Sequence, residues 1–270
     1  MKALEIRVYG LVQGIGYRPY VAELAERLGI LGDVRNLGGI VEIHAMASEM
    51  VLDEFLNCLR REAPVGARVD EVCIQPVELF QAVDFHIVGS DSGDEENTFM
   101  PADLATCSRC EQEMKDPGNR RYGYPFISCV SCGPRFSIMK NIPYDRHTIT
   151  MVDFPMCSDC QAEYLSRGNI RRHAQTIACE DCGPELTLLV SGQLLDGFTR
   201  KLTQEEMLFK AIKYLQAGKI GAIKDIGGFH FAFCPFMNAP AARLRIFKNR
   251  EKKPFAVMFP NMERIREFCQ

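Results

Sequence analysis

No apolar run in this chain approaches the roughly 20 residues that a membrane-spanning helix needs, so its hydropathy offers nothing to a bilayer. Nor does it open on the apolar core of a secretory signal, because "MKALEIRVYG" alternates apolar and polar residues as a strand does. A strong excess of either charge is also missing. With 32 Lys and Arg against 35 Asp and Glu, the net charge of −3 gives no whole-chain reason to expect nucleic acid. The 47% hydrophobic share is that of an ordinary soluble protein, and 270 residues have room for one large or two to three small domains.

Cysteine, by contrast, is plentiful. Eight of the 12 cysteines fall in four C-x2-C pairs. Without an export signal, that spacing favours metal ligation in a reducing compartment over disulfides. The expectation is a cytoplasmic, modular protein of α+β class.

Three blocks follow one another. The first, residues 1–90, reads β-α-β-β-α-β: "LEIRVYGLV" and "GIVEIHAM" alternate as strands, "RPYVAELAERLGI" and "SEMVLDEFLNCLRREAP" have helical spacing, "NLGGI" is a hairpin turn, and "RVDEVCIQPVEL" and "DFHIVG" finish as strands. That order is the ferredoxin-like one. Ser48 is the expected N-cap of the second helix, which closes before Pro64. "GSDSGDEEN" reads as a linker. The second block, 101–190, is an internal repeat: residues 107–138 and 157–188 align without a gap and share 12 of 32 positions, all four cysteines among them. A unit too small to own a core is duplicated where metal supplies folding energy. The third, 193–270, shows an amphipathic helix ("QEEMLFKAIKYLQAG"), a buried strand ("KIGAIKDIG"), a basic helix ending before Pro254, a strand ("PFAVMF") and the start of a further helix. These are only a few elements of an α/β domain, and the chain is expected to be a fragment.

Two places carry chemistry. In "VQGIGYRPYV" a strand hands over to a helix through two glycines and an arginine, so that loop amides, the positive helix end and a planar guanidinium converge on one point. Gln13, Gly14, Ile15, Gly16, Tyr17 and Arg18 are the candidate phosphate cradle, with Arg18 its clamp. Asn36, in "GDVRNLGG" on a neighbouring strand, is placed to orient a water for in-line attack. In the second block each repeat reads C-x2-C-x18-C-x2-C, a spacing suited to a closed tetrahedral Zn²⁺ site. Sequential pairing gives one ion Cys107, Cys110, Cys129 and Cys132, and the other Cys157, Cys160, Cys179 and Cys182. Crossed pairing of the repeats satisfies the same spacing. His147 and His173 are extra to either set, and basic "NRRYGYP" and "IRRHAQ", with their aromatic neighbours, are candidate RNA contacts, against the commoner reading as solvated charge.

The VQGxGxR…GxVxN pattern over residues 4–88 closely resembles the acylphosphatase family. That resemblance implies that Arg18 binds phosphate and Asn36 positions the nucleophilic water. With the finger segments "PADLATCSRC", "RRYGYPFISCVSCGPRFSI", "IPYDRHTITMVDFPMCSDC" and "IACEDCGP", nearly the whole chain resembles the HypF family of [NiFe]-hydrogenase maturation carbamoyltransferases. "AIKDIGGFHFA" and "FKNREKKPFAVM" resemble the start of its YrdC-like domain. The family implies that carbamoyl phosphate is hydrolysed at the acylphosphatase site, that the YrdC-like domain adenylates carbamate with ATP, and that a further domain passes the carbamoyl group to HypE for cyanide ligand synthesis. Lys248, Arg250 and Lys253 match the family's nucleotide-phosphate run, whereas Asp225 replaces a glycine and "CPFMNAPA" an acidic stretch. A fragment of this kind retains at most the acyl-phosphate step. The competing expectation is a zinc-bearing interaction or RNA-binding module whose acylphosphatase fold is vestigial.

Overall fold

The computed structural model describes residues 1–64, 66–91, 100–190, 193–194, 203–225 and 228–269. It divides into two compact units, Met1–Glu185 and Leu186–Gln270. Most of the "GSDSGDEEN" segment lies outside the described residues, as does the side chain of Asp225.

In the first unit, β1 (Lys2–Leu11), α1 (Tyr17–Leu28), β2 (Leu31–Leu37), β3 (Ile40–Ala47), α2 (Glu49–Arg61), β4 (Arg68–Val77) and β5 (Phe85–Ile87) form a ferredoxin-like layer. The strand order is β4-β1-β3-β2-β5, with β5 added parallel to β2 and the other pairs antiparallel. Alternation fixes the register. Ile6 lies opposite Ile43, and Val8 opposite Val41, on the face that α1 and α2 cover. The other face carries Arg7 and Arg35 on either side of Glu42, whose carboxylate is 2% exposed and ion-paired to both. Ser48 stands at the N-cap of α2 in extended conformation, but its hydroxyl makes no capping bond.

The rest of this unit is the repeat. Short helices α3 (Ser108–Lys115) and α4 (Ser158–Leu165) each begin on the first cysteine pair of their array. The two copies are held together by exchanged side chains. Arg121 reaches across to Glu163 (2.8 Å) and to the Cys160 sulfur, and Arg171, fifty positions later, reaches back to Glu113 (2.5 Å) and the Cys110 sulfur. Arg121 Nε donates to the Ala178 carbonyl, and Arg171 Nε to the equivalent Ser128 carbonyl. Both guanidiniums are almost fully buried.

The second unit contains a short hairpin of β6 (Leu189–Val190) and β7 (Gln193–Leu194), then α5 (Gln204–Gln216), the β8 (Gly221–Asp225)–β9 (Gly228–Ala232) hairpin, α6 (Asn238–Phe247) and α7 (Met262–Phe268). Three expectations are corrected here. The strand in "KIGAIKDIG" is not buried: among the described residues β8 pairs with β9 alone, and Ile223 is 55% exposed. The basic helix ends at Phe247 instead of running to Pro254, because the chain turns at Asn249 with φ 49° and wraps back on Arg245. "PFAVMF" pairs with no strand among the described residues. No described helix is long and apolar enough to cross a membrane.

Candidate functional site

The cradle is built by alternation across the β1–α1 junction. The side chains of Gln13, Ile15 and Tyr17 turn into the fold, where Tyr17 donates its hydroxyl to the Leu59 carbonyl at 3.0 Å. Gly14 and Gly16 between them take positive φ of 71° and 78°, so the loop backbone bulges outward with no side chain in the way. A Cβ on Gly14 would stand 2.9 Å from Pro101, and one on Gly16 would stand 3.0 Å from Val130. Gly16 caps α1 with no side-chain acceptor, and no acidic residue stands in the first turn, so the helix keeps free amides for an outside anion.

Residues of the repeat cover this loop. A small cleft is lined on one side by Gln13, Gly14, Gly16, Arg18 and Asn36, and on the other by Val130, Arg135, Tyr144, His173 and Gln175. Arg135, 2% exposed, donates to the Gly14 carbonyl from Nε and to the Cys129 and Val130 carbonyls from Nη2. Gln13 braces the β2–β3 turn through the Gly38 and Ile40 carbonyls, and accepts from the Tyr144 amide at 3.4 Å. Arg18 gives Nη1 to Ser90 Oγ (2.9 Å) and to Asp145 Oδ2 (3.2 Å), and among the described residues its Nε and Nη2 have no partner. Asn36, 1% exposed, donates to the Tyr144 carbonyl at 3.4 Å, while its Oδ1 is buried with no partner. A buried acceptor left open calls for a donor from a bound molecule.

The cleft's titratable groups are tuned by this packing. Burial alone would raise the Asp145 carboxyl, but the charge of Arg18 and bonds from Ser90 and the Arg146 amide bring it below the ordinary carboxylate value. Burial, then the charges of Arg18 and Arg172, push His173 down to about 4, so it stands neutral beside the clamp. Burial pushes Tyr144 up to about 12. Sequence reasoning singled out Arg18 and Asn36 but passed over Ser90, Arg135, Tyr144 and Asp145, and set His173 aside. His147 is exposed.

The cysteines form two clusters by sequential pairing: Cys107, Cys110, Cys129 and Cys132, and Cys157, Cys160, Cys179 and Cys182, with sulfurs within 4.8 Å of one another in each. Neighbouring sulfurs stand 3.6–3.7 Å apart. A tetrahedron with metal–sulfur bonds of about 2.3 Å has edges of about 3.8 Å, whereas a disulfide would need about 2.05 Å. The donor set therefore fits a closed four-thiolate metal site. Arg120 donates to the Cys157, Cys160 and Cys179 sulfurs at 3.2–3.4 Å, which offsets thiolate charge. In the second unit, Lys248 lays its ammonium 4.9 Å above the Phe231 ring, and the carbonyls of Arg250 and Lys253 take Arg245 Nη1.

Comparison with known proteins agrees with this layout. The HypF finger profile matches residues 106–139 and 156–189, the acylphosphatase profile 4–87, and a Sua5/YciO/YrdC profile described as telomere recombination 213–270. Carbamoyltransferase HypF2 of Cupriavidus necator is 48% identical over 265 residues, covering 96% of this chain and 32% of that protein. An acylphosphatase of Leuconostoc mesenteroides is 41% identical over 90 residues, covering 33% of this chain and 100% of that protein. A crystal structure of full-length HypF in its phosphate- and nucleotide-bound form superposes with a TM-score of 0.89 at 38% identity, covering 100% of this chain and 34% of that one.

Proposed function

Since this chain belongs to the HypF family and spans about a third of the length of the curated relatives it matches, we propose that it performs the acyl-phosphate step of a carbamoyltransferase, the hydrolysis of carbamoyl phosphate in the cleft over Gln13–Arg18. The observation that carries the reading is the pair of open valences there: the Nε–Nη2 edge of Arg18 and the buried Oδ1 of Asn36. The first suits two phosphate oxygens taken side by side, with loop amides for the third. The second accepts an O–H from water and aims its lone pair at phosphorus. As the water oxygen bonds to phosphorus, the bond to the carbamoyl oxygen breaks, the water proton passes to phosphate, and carbamate leaves as an anion.

Each four-cysteine cluster holds one Zn²⁺ in this reading, a closed structural ion with no site for substrate. ATP binding along Lys248, Arg250 and Lys253, adenylation of carbamate, and delivery of the carbamoyl group to HypE for cyanide ligand synthesis belong to the longer protein. A HypF crystal form with both phosphate and nucleotide supports that assignment. We place the protein in the cytoplasm, with functional modules at 1–90, 101–190 and 193–270. The RNA-binding alternative is weakened by its own residues, since Arg121 and Arg171 point inward to glutamates and Arg172 pairs with Glu26 at 3.1 Å. The test is phosphate release from carbamoyl phosphate by the metal-loaded chain, lowered on the order of a hundredfold by Arg18→Ala. A chain that releases no phosphate would leave the fold without this activity.

A further inference from the structure

The ferredoxin-like module does not hold its clamp alone. Arg18 is fixed at Nη1 by Asp145, which lies between the two cysteine arrays, and by Ser90, whose Oγ also donates to Asp145 Oδ2 at 2.6 Å. Asp145 is itself held on its other side: Oδ1 caps the short helix Arg146–Thr148 at the Arg146 amide (2.9 Å), and the Asp145 amide donates to Thr148 Oγ1 (2.9 Å). The Arg18 and Asp145 side chains are 9% and 14% exposed.

A carboxylate that competed with phosphate would take the two-nitrogen edge of the guanidinium, which is the edge that matches an oxyanion. Asp145 takes one terminal nitrogen only and leaves that edge open. A side chain fixed at both oxygens is also a poor plug, because it has nowhere to swing. We propose that Asp145, supplied by the finger block, is the positioning residue of the acyl-phosphate site, orienting the Nε–Nη2 edge of Arg18 into the cleft. The finger block is then part of the active site, in addition to being its neighbour.

The inference rests on the acyl-phosphate reading, and the experiment separates the two. The metal-loaded chain and its Asp145→Asn, Asp145→Ala and Ser90→Ala variants are compared for inorganic phosphate binding by calorimetry and for phosphate release from carbamoyl phosphate. Metal content and melting temperature verify that each variant is folded. Asp145→Ala is expected to weaken phosphate binding and to lower kcat/KM by on the order of tenfold or more, the scale for losing a residue that orients a ligating group. Asp145→Asn keeps the cap on Arg146 and loses less, and Ser90→Ala, which leaves that cap intact, shifts both quantities in the same direction. In an Arg18→Ala background, Asp145→Asn is expected to do nothing further, since its effect passes through Arg18. Tighter phosphate binding in Asp145→Ala would make Asp145 a competitor and overturn the proposal. Additive losses in the double variant would reduce it to a structural residue and overturn it equally. If the parent chain releases no phosphate, the hydrolytic reading fails, and the binding arm alone still decides for or against Asp145. A parent chain that binds no phosphate sinks both.

Discussion

A lysine at position 18 would keep the charge of Arg18 and lose the edge that faces the cleft. Arg18→Lys is therefore expected to lose most of the phosphate release, and Arg18→Ala on the order of a hundredfold, with fold and metal content intact. Wild-type rates in Arg18→Lys would mean that charge alone suffices. Asn36→Ala should leave phosphate affinity nearly unchanged while turnover falls, because in the proposed reading the water loses its acceptor and the phosphate loses no ligand. His173 makes a separate prediction about pH. Burial and the neighbouring guanidiniums push it down to about 4, below the ordinary histidine value of 6.5, so the unfolded chain binds the extra proton between those limits. Stability is then complete above pH 6.5 and declines as pH falls toward 4, by roughly 1–3 kcal/mol. His173→Gln should flatten that slope in urea melts across the window. Arg18 and Asn36 were legible because glycine spacing and strand-to-helix handover are local signals. Ser90, Asp145 and Tyr144 were not, since packing between segments 55–127 positions apart brings them to the clamp and to Asn36, and no short motif announces that.

Among the elements, the first helix of the second unit carries a capping box that was readable and passed over. The Thr203 hydroxyl accepts from the Glu206 amide, and the Glu206 carboxylate from the Thr203 amide. Thr203→Ala should destabilise α5 by about 1 kcal/mol, seen as faster amide exchange in its first turn. The five strands and two helices of the ferredoxin-like layer stood out in the sequence, since period-2 and period-3.6 patterns switch cleanly there. β8 read as buried because an apolar run says nothing about how many strands flank it. The cysteine pairing was undecidable from spacing, as both arrays have the same x18 interval. It is settled by α3 and α4, each of which presents its own C-x2-C pair to the second pair of the same copy.

At the scale of the whole first unit, an acylphosphatase-like core that owns twenty buried apolar residues should survive metal removal, while the finger clusters, small and built largely on cysteine, should not. Chelation is expected to unfold residues 101–185 and to leave the amide protection of β1–β4 in place. Phosphate binding should still be lost, since Arg135, Tyr144 and Asp145 leave the cleft with the fingers. Retained binding after chelation would show that the first module clamps phosphate unaided.

The exchanged arginines of the repeat bear on how metal is acquired. Arg121 belongs to the first copy and closes on the second cluster, and Arg171 does the converse. A chain with one ion bound would therefore have ordered one array while leaving bare the carboxylate and thiolates that its partner arginine should neutralise. Filling either array prepares the other, so uptake should be steep and all-or-none, with the singly loaded species scarcely populated in a native mass spectrum. Replacing Arg121 or Arg171 by leucine should make half-filled chains visible, converting one concerted event into two independent ones.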